Sequence, residues 1–421
     1  MQGELFFVYI NLIELKTLIK RRQMMMTHVE LPFGSAIKYR RRELQMTLEE
    51  ASENICSLSY LSKVENNLIK PNPEFSDKLR ERLDLSSDYD YLAESDAVFQ
   101  KDLEKIVVAL LEKNPLEKEI LGRYLLNDYQ SFIVNYAQSV MKNDYKTMGK
   151  YYYHLLDCLS SLPTESYTVT LLITIQALFQ LARYTDALDL IEPLIEQEFA
   201  STRSQILIRH WRLVLAFKLR QHDYIHLFFD KTQSKLLQCR AFASIRENLT
   251  EDIIYKIHSM NHKQLKDQLQ SIDMLPEERK LYITALFYYV NNQLEEAKVY
   301  SQRCFKTSID CLILHLMILS KLDDVKSILK IIKDQHEFVC PTFDKLKRHF
   351  KFKYSNDKEQ MLSYFKRDVV NINRLTEDLE ILQFFMSEAD QILTKHHMYK
   401  DVVYMYRNYS IKINQMMYSK A

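Results

Sequence analysis

The sequence predicts an all-α protein: a small N-terminal group of short helices, then a long succession of helical hairpins. Two observations carry this. Only 4 Gly occur among 421 residues, each at or before Gly149, so most of the chain lacks the usual residue for tight left-handed turns; this argues against barrels, dinucleotide folds and phosphate-binding loops. Apolar residues recur instead at helical spacing, separated by short polar joints. With 47% hydrophobic and 27% charged residues the chain can bury a sizeable core, which excludes general disorder. The balance of 57 Lys+Arg against 56 Asp+Glu provides no global field toward nucleic acid or membrane, so polyanion binding has to come from a local patch. Six Cys without a CxxC pair fit thiols in a reducing, cytoplasmic setting.

Residues 1–26 read as an N-terminal extension, with Met24, Met25 and Met26 offering an alternative start. The apolar stretch Leu5 to Ile13 is too short to span a membrane, and its basic residues follow it rather than precede it, unlike a secretory signal. Residues 27–85 form the first domain. Ser35 to Gln45 is its first helix. Thr47 caps a second run through Ile55, with Glu49 and Glu50 in its first turn. Ser57 caps a third, Leu58 to Asn66, whose inward face carries Leu61 and Val64. Asn72-Pro73 opens a fourth, Glu74 to Leu83, with Pro at the position where a missing N–H costs nothing. Two helices of about eight residues on either side of a three-residue turn have helix-turn-helix dimensions. Residues 86–97, polar and acidic, read as a linker, and 98–421 as the helical-hairpin domain.

The run GSAIKYRRRELQMTLEEASENICSLSYLSKVENNLIKPNPEFSDKL resembles the lambda-repressor-like DNA-binding domain of XRE-family regulators. TLEEAS opens the second helix, ENICS is the turn, and SYLSKVEN is similar to a recognition helix. The short turn resembles that of PlcR-type peptide-pheromone regulators, the class that also contains PrgX and Rgg. The resemblance implies base reading by Leu58, Ser59 and Lys63, and an internal salt bridge between Arg41 and Glu65. The family often places a phosphate-contacting Gln where this chain has Leu48.

Farther on, LLITIQALFQLARYTDALDLIEPLI and LYITALFYYVNNQLEEAKVYSQRCF resemble tetratricopeptide helix pairs, without the Gly those repeats carry at the turn. Stacked hairpins of this kind form an α-solenoid with a groove that binds extended peptides. Residues presented to such a groove are Arg209 and Arg212, suited to a terminal carboxylate, and Tyr282, Tyr288 and Asn291, the last suited to a peptide backbone.

On the third helix, Leu58 suits a thymine methyl, Ser59 and Ser62 base-edge or phosphate oxygens, and Lys63 guanine or phosphate. Thr47 and Ser57 offer capping hydroxyls beside amides that hold phosphate, and Arg40 and Arg42 offer charge. The pairs His222/His226 and His258/His262 lack the companions of a metal site, and Cys304/Cys311 suit core packing. No GxSxG, Walker A, GxGxxG or HRD element is present. The expectation is therefore a cytoplasmic, non-enzymatic, homodimeric transcription regulator without cofactor or metal, binding double-stranded DNA and a short signalling peptide as in quorum sensing. A repeat-domain adaptor that sequesters a partner protein, its DNA-binding head only tethering, is the alternative. The dimer contact is open between the heads, the repeats and the C-terminal helices.

Overall fold

The computed structural model describes residues 34, 37–38, 40–41, 44–65, 69, 71–85, 96–124, 129–159, 162–195, 201–334, 340–371 and 376–418. All regular structure among them is helical. After helical residues within 34–41 come α1 (Leu48–Ser52), α2 (Leu58–Glu65) and α3 (Pro73–Arg82). Next are α4 (Asp96–Glu112), α5 (Lys118–Arg123), α6 (Tyr129–Met141), α7 (Tyr145–Cys158) and α8 (Thr164–Gln180). Then follow α9 (Tyr184–Ile195), α10 (Thr202–Lys218), α11 (His222–Gln238), α12 (Phe242–Lys256), α13 (His262–Ser271), α14 (Glu277–Val290) and α15 (Leu294–Cys304). The chain finishes with α16 (Ile309–Lys321), α17 (Val325–Asp334), α18 (Pro341–Lys353), α19 (Lys358–Tyr364), α20 (Leu379–Lys395) and α21 (Tyr399–Tyr418). Contacts divide the chain into two compact units, residues 1–176 with 199–204, and 177–198 with 205–421, so the boundary falls within α8.

The N-terminal helices close on a small core of Ile37, Ala51, Leu61, Leu79 and Leu83, against which Leu48 and Ile55 pack. Two sequence expectations are corrected here. The helix opened by Thr47 ends at Ser52 rather than Ile55, because Asn54 takes a left-handed φ of 59°, a conformation its short polar side chain tolerates. Asp96 and Ala97, expected in a linker, already belong to α4. Residues 1–26 and 86–95 lie outside the described residues.

The hairpins turn without glycine. At Asn143, Ala182, Arg220, Arg240, Asn292, Asp323 and His397 the chain takes φ between 50° and 59°, each time as the middle of a three-residue joint between two helices. The same pair of bonds closes each joint. At Ala182, for example, the Arg183 amide donates to Leu178 O at 2.9 Å and the Ala182 amide to Phe179 O at 3.0 Å; at Arg240, Ala241 donates to Leu236 O at 2.9 Å and Arg240 to Leu237 O at 3.0 Å. This is a Schellman cap, in which carbonyls orphaned by the helix end accept from the residues that leave it. Residues with a Cβ pay about 1–2 kcal/mol to sit there. Arg240→Gly, at an exposed position, is therefore expected to stabilise the protein by about 0.5–1 kcal/mol after glycine's extra unfolded-state entropy. Urea denaturation checks this, and a lower midpoint in the variant would rule it out.

A large apolar core in the C-terminal unit runs from Ile253 to Met405, with smaller clusters around Leu213 and Phe217 and around Leu281 and Cys304. Inside it, Phe350, Phe365, Phe384 and Phe385 set their edges or faces against the His349 ring at centroid distances of 5.0–5.7 Å. A polar thread crosses this aromatic region. Lys353 Nζ pairs with Glu388 and donates to Ser320 Oγ at 2.8 Å, and Ser320 Oγ donates to Glu388 Oε1 at 3.2 Å. His349 Nε2 lies 3.6 Å from Glu388 Oε2. Among the described residues, no helix is long and apolar enough to cross a membrane.

Candidate nucleic-acid interface

The candidate surface is the outward side of α2, and the residues before α2 determine how it is presented. Thr47 and Glu50 form a capping box: the Thr47 amide donates to Glu50 Oε2 at 2.6 Å, and the Glu50 amide donates to Thr47 Oγ1 at 3.1 Å. These bonds hold the Glu50 carboxyl below its ordinary pKa, the Thr47 amide contributing most. Ser57 then starts α2, its Oγ accepting from the Tyr60 amide at 3.2 Å. Tyr60 packs edge-on against Phe75 at 5.4 Å, and its hydroxyl accepts from the Asn72 amide at 3.0 Å, tying α2 to the start of α3.

Around α2 the two sides separate cleanly. Leu61, Val64 and Glu65 are buried. Leu58, Ser59 and Lys63 are exposed and Ser62 is half-buried. At 100° per residue these four positions span an arc of about 140°, which does not overlap the arc of the buried ones. Leu58 stands out as a large apolar side chain 42% exposed at the first turn, with hydroxyls beside it and an ammonium one turn on. The arc faces outward along one side of the helix, and its chemistry offers methyl contact, small hydroxyl contacts and one long cation for base edges.

Behind the arc, Arg41 clamps α2 to the first helical stretch. Its Nε donates to Glu65 Oε1 at 2.7 Å and its Nη2 to Glu65 Oε2 at 2.9 Å, while Nη1 reaches Met46 O at 2.8 Å. The side chains are only 9% and 3% exposed, so this is a buried fork-to-fork pair. Sequence reasoning missed a second strap, Arg82, which donates to Glu50 O at 2.8 Å and Glu53 O at 3.1 Å, holding the end of α1. The only signal for it was a basic residue in the last turn of α3.

Arg40, expected to face phosphate, is placed differently. Its Nε donates to Leu83 O at 3.0 Å, and its Nη2 lies 3.7 Å from Asp84; the residue sits where α3 ends and its carbonyls need donors. Thr47 and Ser57 are exposed at the starts of α1 and α2. Arg42 lies outside the described residues.

The residues expected to line a peptide groove are not brought together as a set. Arg209 is exposed on α10. Arg212 is corrected: its side chain is 6% exposed, its Nε donates to Glu192 Oε1 at 2.6 Å, and its guanidinium lies 3.8 Å from the centre of the Tyr224 ring. A rotation of about 60° around α10, the offset between positions three apart, decides this: residue 212 faces Glu192 on α9 where residue 209 faces solvent. Asn291 is exposed, and its side-chain amide donates to Phe287 O at 2.8 Å at the end of its own helix. Tyr288 stacks on Tyr300 at 5.4 Å. Tyr282 is half-buried with Arg279 5.0 Å from its ring centre, and burial pushes its phenol well up. No group of three or more metal-ligating side chains occurs among the described residues.

Residues 37–89 match the family described as Helix-turn-helix. No curated protein and no solved structure matched the chain. The N-terminal head is a helix-turn-helix domain, with α1 and α2 as the two helices of the motif.

Proposed function

We propose that this protein is a sequence-specific DNA-binding transcriptional regulator, controlled by a short signalling peptide that its C-terminal helical hairpins bind. The separation of α2 into a buried arc and an outward arc of Leu58, Ser59, Ser62 and Lys63 carries the first half of this reading. The outward side chains match major-groove chemistry: Leu58 for a thymine methyl, Ser59 and Ser62 for base edges or phosphate, Lys63 for guanine or phosphate. Amides at the starts of α1 and α2, beside Thr47 and Ser57, suit phosphate oxygens. A short helix with one cation in its outward arc binds weakly by itself, so the working form is a homodimer on an inverted repeat.

The peptide half rests on the succession of hairpins resembling tetratricopeptide pairs. A peptide acts by binding one arrangement of the heads more tightly than another. Arg209, Tyr282, Tyr288 and Asn291 remain the contacts proposed from the sequence.

Selection of binding sites from random duplex DNA at physiological salt tests the reading. Wild type is expected to enrich a two-fold symmetric motif. Lys63→Ala is expected to lose about 1–3 kcal/mol of affinity, roughly 5- to 150-fold, with relaxed preference at one base pair if it reads a base, or with a salt slope reduced by about 1 if it meets phosphate. Absence of any enriched motif with folded protein would sink the reading and direct attention to a protein partner.

A further inference from the structure

A cleft in the C-terminal unit opens to solvent between the end of α10, α12 and the start of α20. Its volume is about 290 Å³ with its open mouth included, and its enclosed part has room for a group no larger than an ammonium. The polar walls are Lys218, Arg220, Glu251, Tyr255, Asp378 and Glu380. Two cations therefore face three carboxylates.

Both cations are already matched. Lys218 Nζ lies 2.9 Å from Glu251, and Arg220 Nη2 lies 2.8 Å from Glu380 while its Nη1 donates to Tyr255 O at 3.0 Å. Asp378 is the remaining charge. Its Oδ1 accepts from the Ile381 amide at 3.1 Å, which caps α20, and it forms no ion pair among the described residues. Matched cations disfavour an anionic ligand, and two neutralised carboxylates disfavour a divalent metal, which wants several uncommitted oxygens.

We propose that this cleft binds a primary ammonium group, with Asp378 as its counter-ion. An ammonium has three N–H donors, and Asp378, Glu251 and Glu380 engage only one oxygen each in the bonds described above, so three acceptor oxygens stand against three donors. The proposal builds on the peptide reading, and the group is then a peptide's N-terminal amine or a lysine side chain. Electrostatics agree with the geometry. Burial, then the charge of Glu380, push the Asp378 carboxyl up to about 7, against the opposing charge of Lys218. The groups around it are Glu380 on α20, Lys218 on α10, Glu251 on α12, Asp310 as the second residue of α16 with its ion-pair partner Arg279 on α14, and the phenols of Tyr184 and Tyr282. An arriving cation favours the ionised carboxyl, so binding near neutrality releases a proton.

The test uses the full-length protein and three heptapeptide pools of random sequence: lysine-free with free N-termini, lysine-free with acetylated N-termini, and acetylated with one lysine. Retention of at least one amine-bearing pool at least tenfold above the acetylated lysine-free pool is expected, and the pool retained identifies the source of the amine. Asp378→Asn, which keeps a good cap acceptor for α20, is expected to erase the difference at an unchanged melting temperature. Calorimetry in two buffers of different ionisation heat is expected to show proton release with wild type alone. Equal retention of all three pools overturns the ammonium site and leaves the peptide reading standing. Retention of none overturns the peptide reading; titration with N-acetyl-lysine amide then decides the site, and the absence of an Asp378-dependent response overturns it.

Discussion

Arg41→Ala is expected to unfold the N-terminal head while the C-terminal unit stays folded. The substitution removes all three of Arg41's bonds, two to Glu65 and one to Met46 O. It leaves the Glu65 carboxylate, 3% exposed, without a counter-charge beneath α2. Breaking a buried pair from one side costs about 3–5 kcal/mol, because the surviving charge keeps its desolvation penalty and loses its compensation. A head of this size, whose core is Ile37, Ala51, Leu61, Leu79 and Leu83, has a total stability of about the same magnitude. Hydrogen exchange should therefore show protection lost through residues 44–85 and retained beyond residue 205. Two companion variants distinguish charge from geometry. Arg41→Lys keeps the cation but loses the two-pronged fork, so an intermediate loss is expected. Arg41→Met with Glu65→Leu removes both charges and should recover much of the stability. A loss below about 1 kcal/mol in Arg41→Ala would mean that the pair is not holding the head together.

Lys353→Ala is expected to produce the corresponding loss in the C-terminal unit. Glu388 is 4% exposed and lies among aromatic rings, with Lys353 as its cation and Ser320 as its hydroxyl donor. Deleting the ammonium should cost about 3–5 kcal/mol at neutral pH. The pH dependence supplies an independent check. Burial pushes the Glu388 carboxyl up, but His349 and Lys353 together outweigh it and hold the group below its ordinary value of 4.5. A carboxyl lowered by folding contributes stability that is present above 4.5 and lost as pH falls through the folded-state value. In Lys353→Ala the lowering influence of the ammonium is gone, so the carboxyl lies higher than in wild type and the folded state takes up its proton at a higher pH. The gap between wild type and variant should then narrow as pH falls toward 4.5, as followed by thermal melts. Burial also keeps the His349 ring below its ordinary value. Charging it opposes folding as pH drops, and Lys353 is one of the charges that keeps it low, so the two proteins are compared in a His349→Gln background, where that titration is absent. A gap that stays constant from pH 7 to 4.5 would place the cost in lost packing rather than in the stranded charge.

Much of the head was legible because its signals are local. Thr47 with Glu50, Ser57 with Tyr60, and Asn72 with Pro73 are separated by three residues or fewer, and capping depends on neighbours at that range. The outward arc of α2 was legible for the same reason, since helical period alone sorts Leu58, Ser59, Ser62 and Lys63 from Leu61 and Val64. The hairpin joints were harder. Their left-handed positions hold Asn, Ala, Arg, Asp or His, so the glycine that usually marks such a turn is missing, and only backbone bonding reveals that one cap recurs.

Long-range pairing was not legible. Arg212 and Arg209 look equivalent in the sequence, yet one meets Glu192 and the other meets solvent, because the angle at which α10 packs on α9 decides which position is covered. Arg40 was diverted in the same way by the exposed carbonyl at the end of α3.

From sequence alone, then, came the helical class, the caps, the helix-turn-helix dimensions and the chemistry of the outward arc, all of which are set by residues within one or two turns of each other. Tertiary structure alone placed Lys353 against Glu388, Arg82 on the carbonyls of α1, and Asp378 in a cleft with Lys218, 160 residues earlier. Such meetings depend on which apolar faces bury against which, and that choice is made by the sum of many small contacts across the whole core rather than by any local pattern.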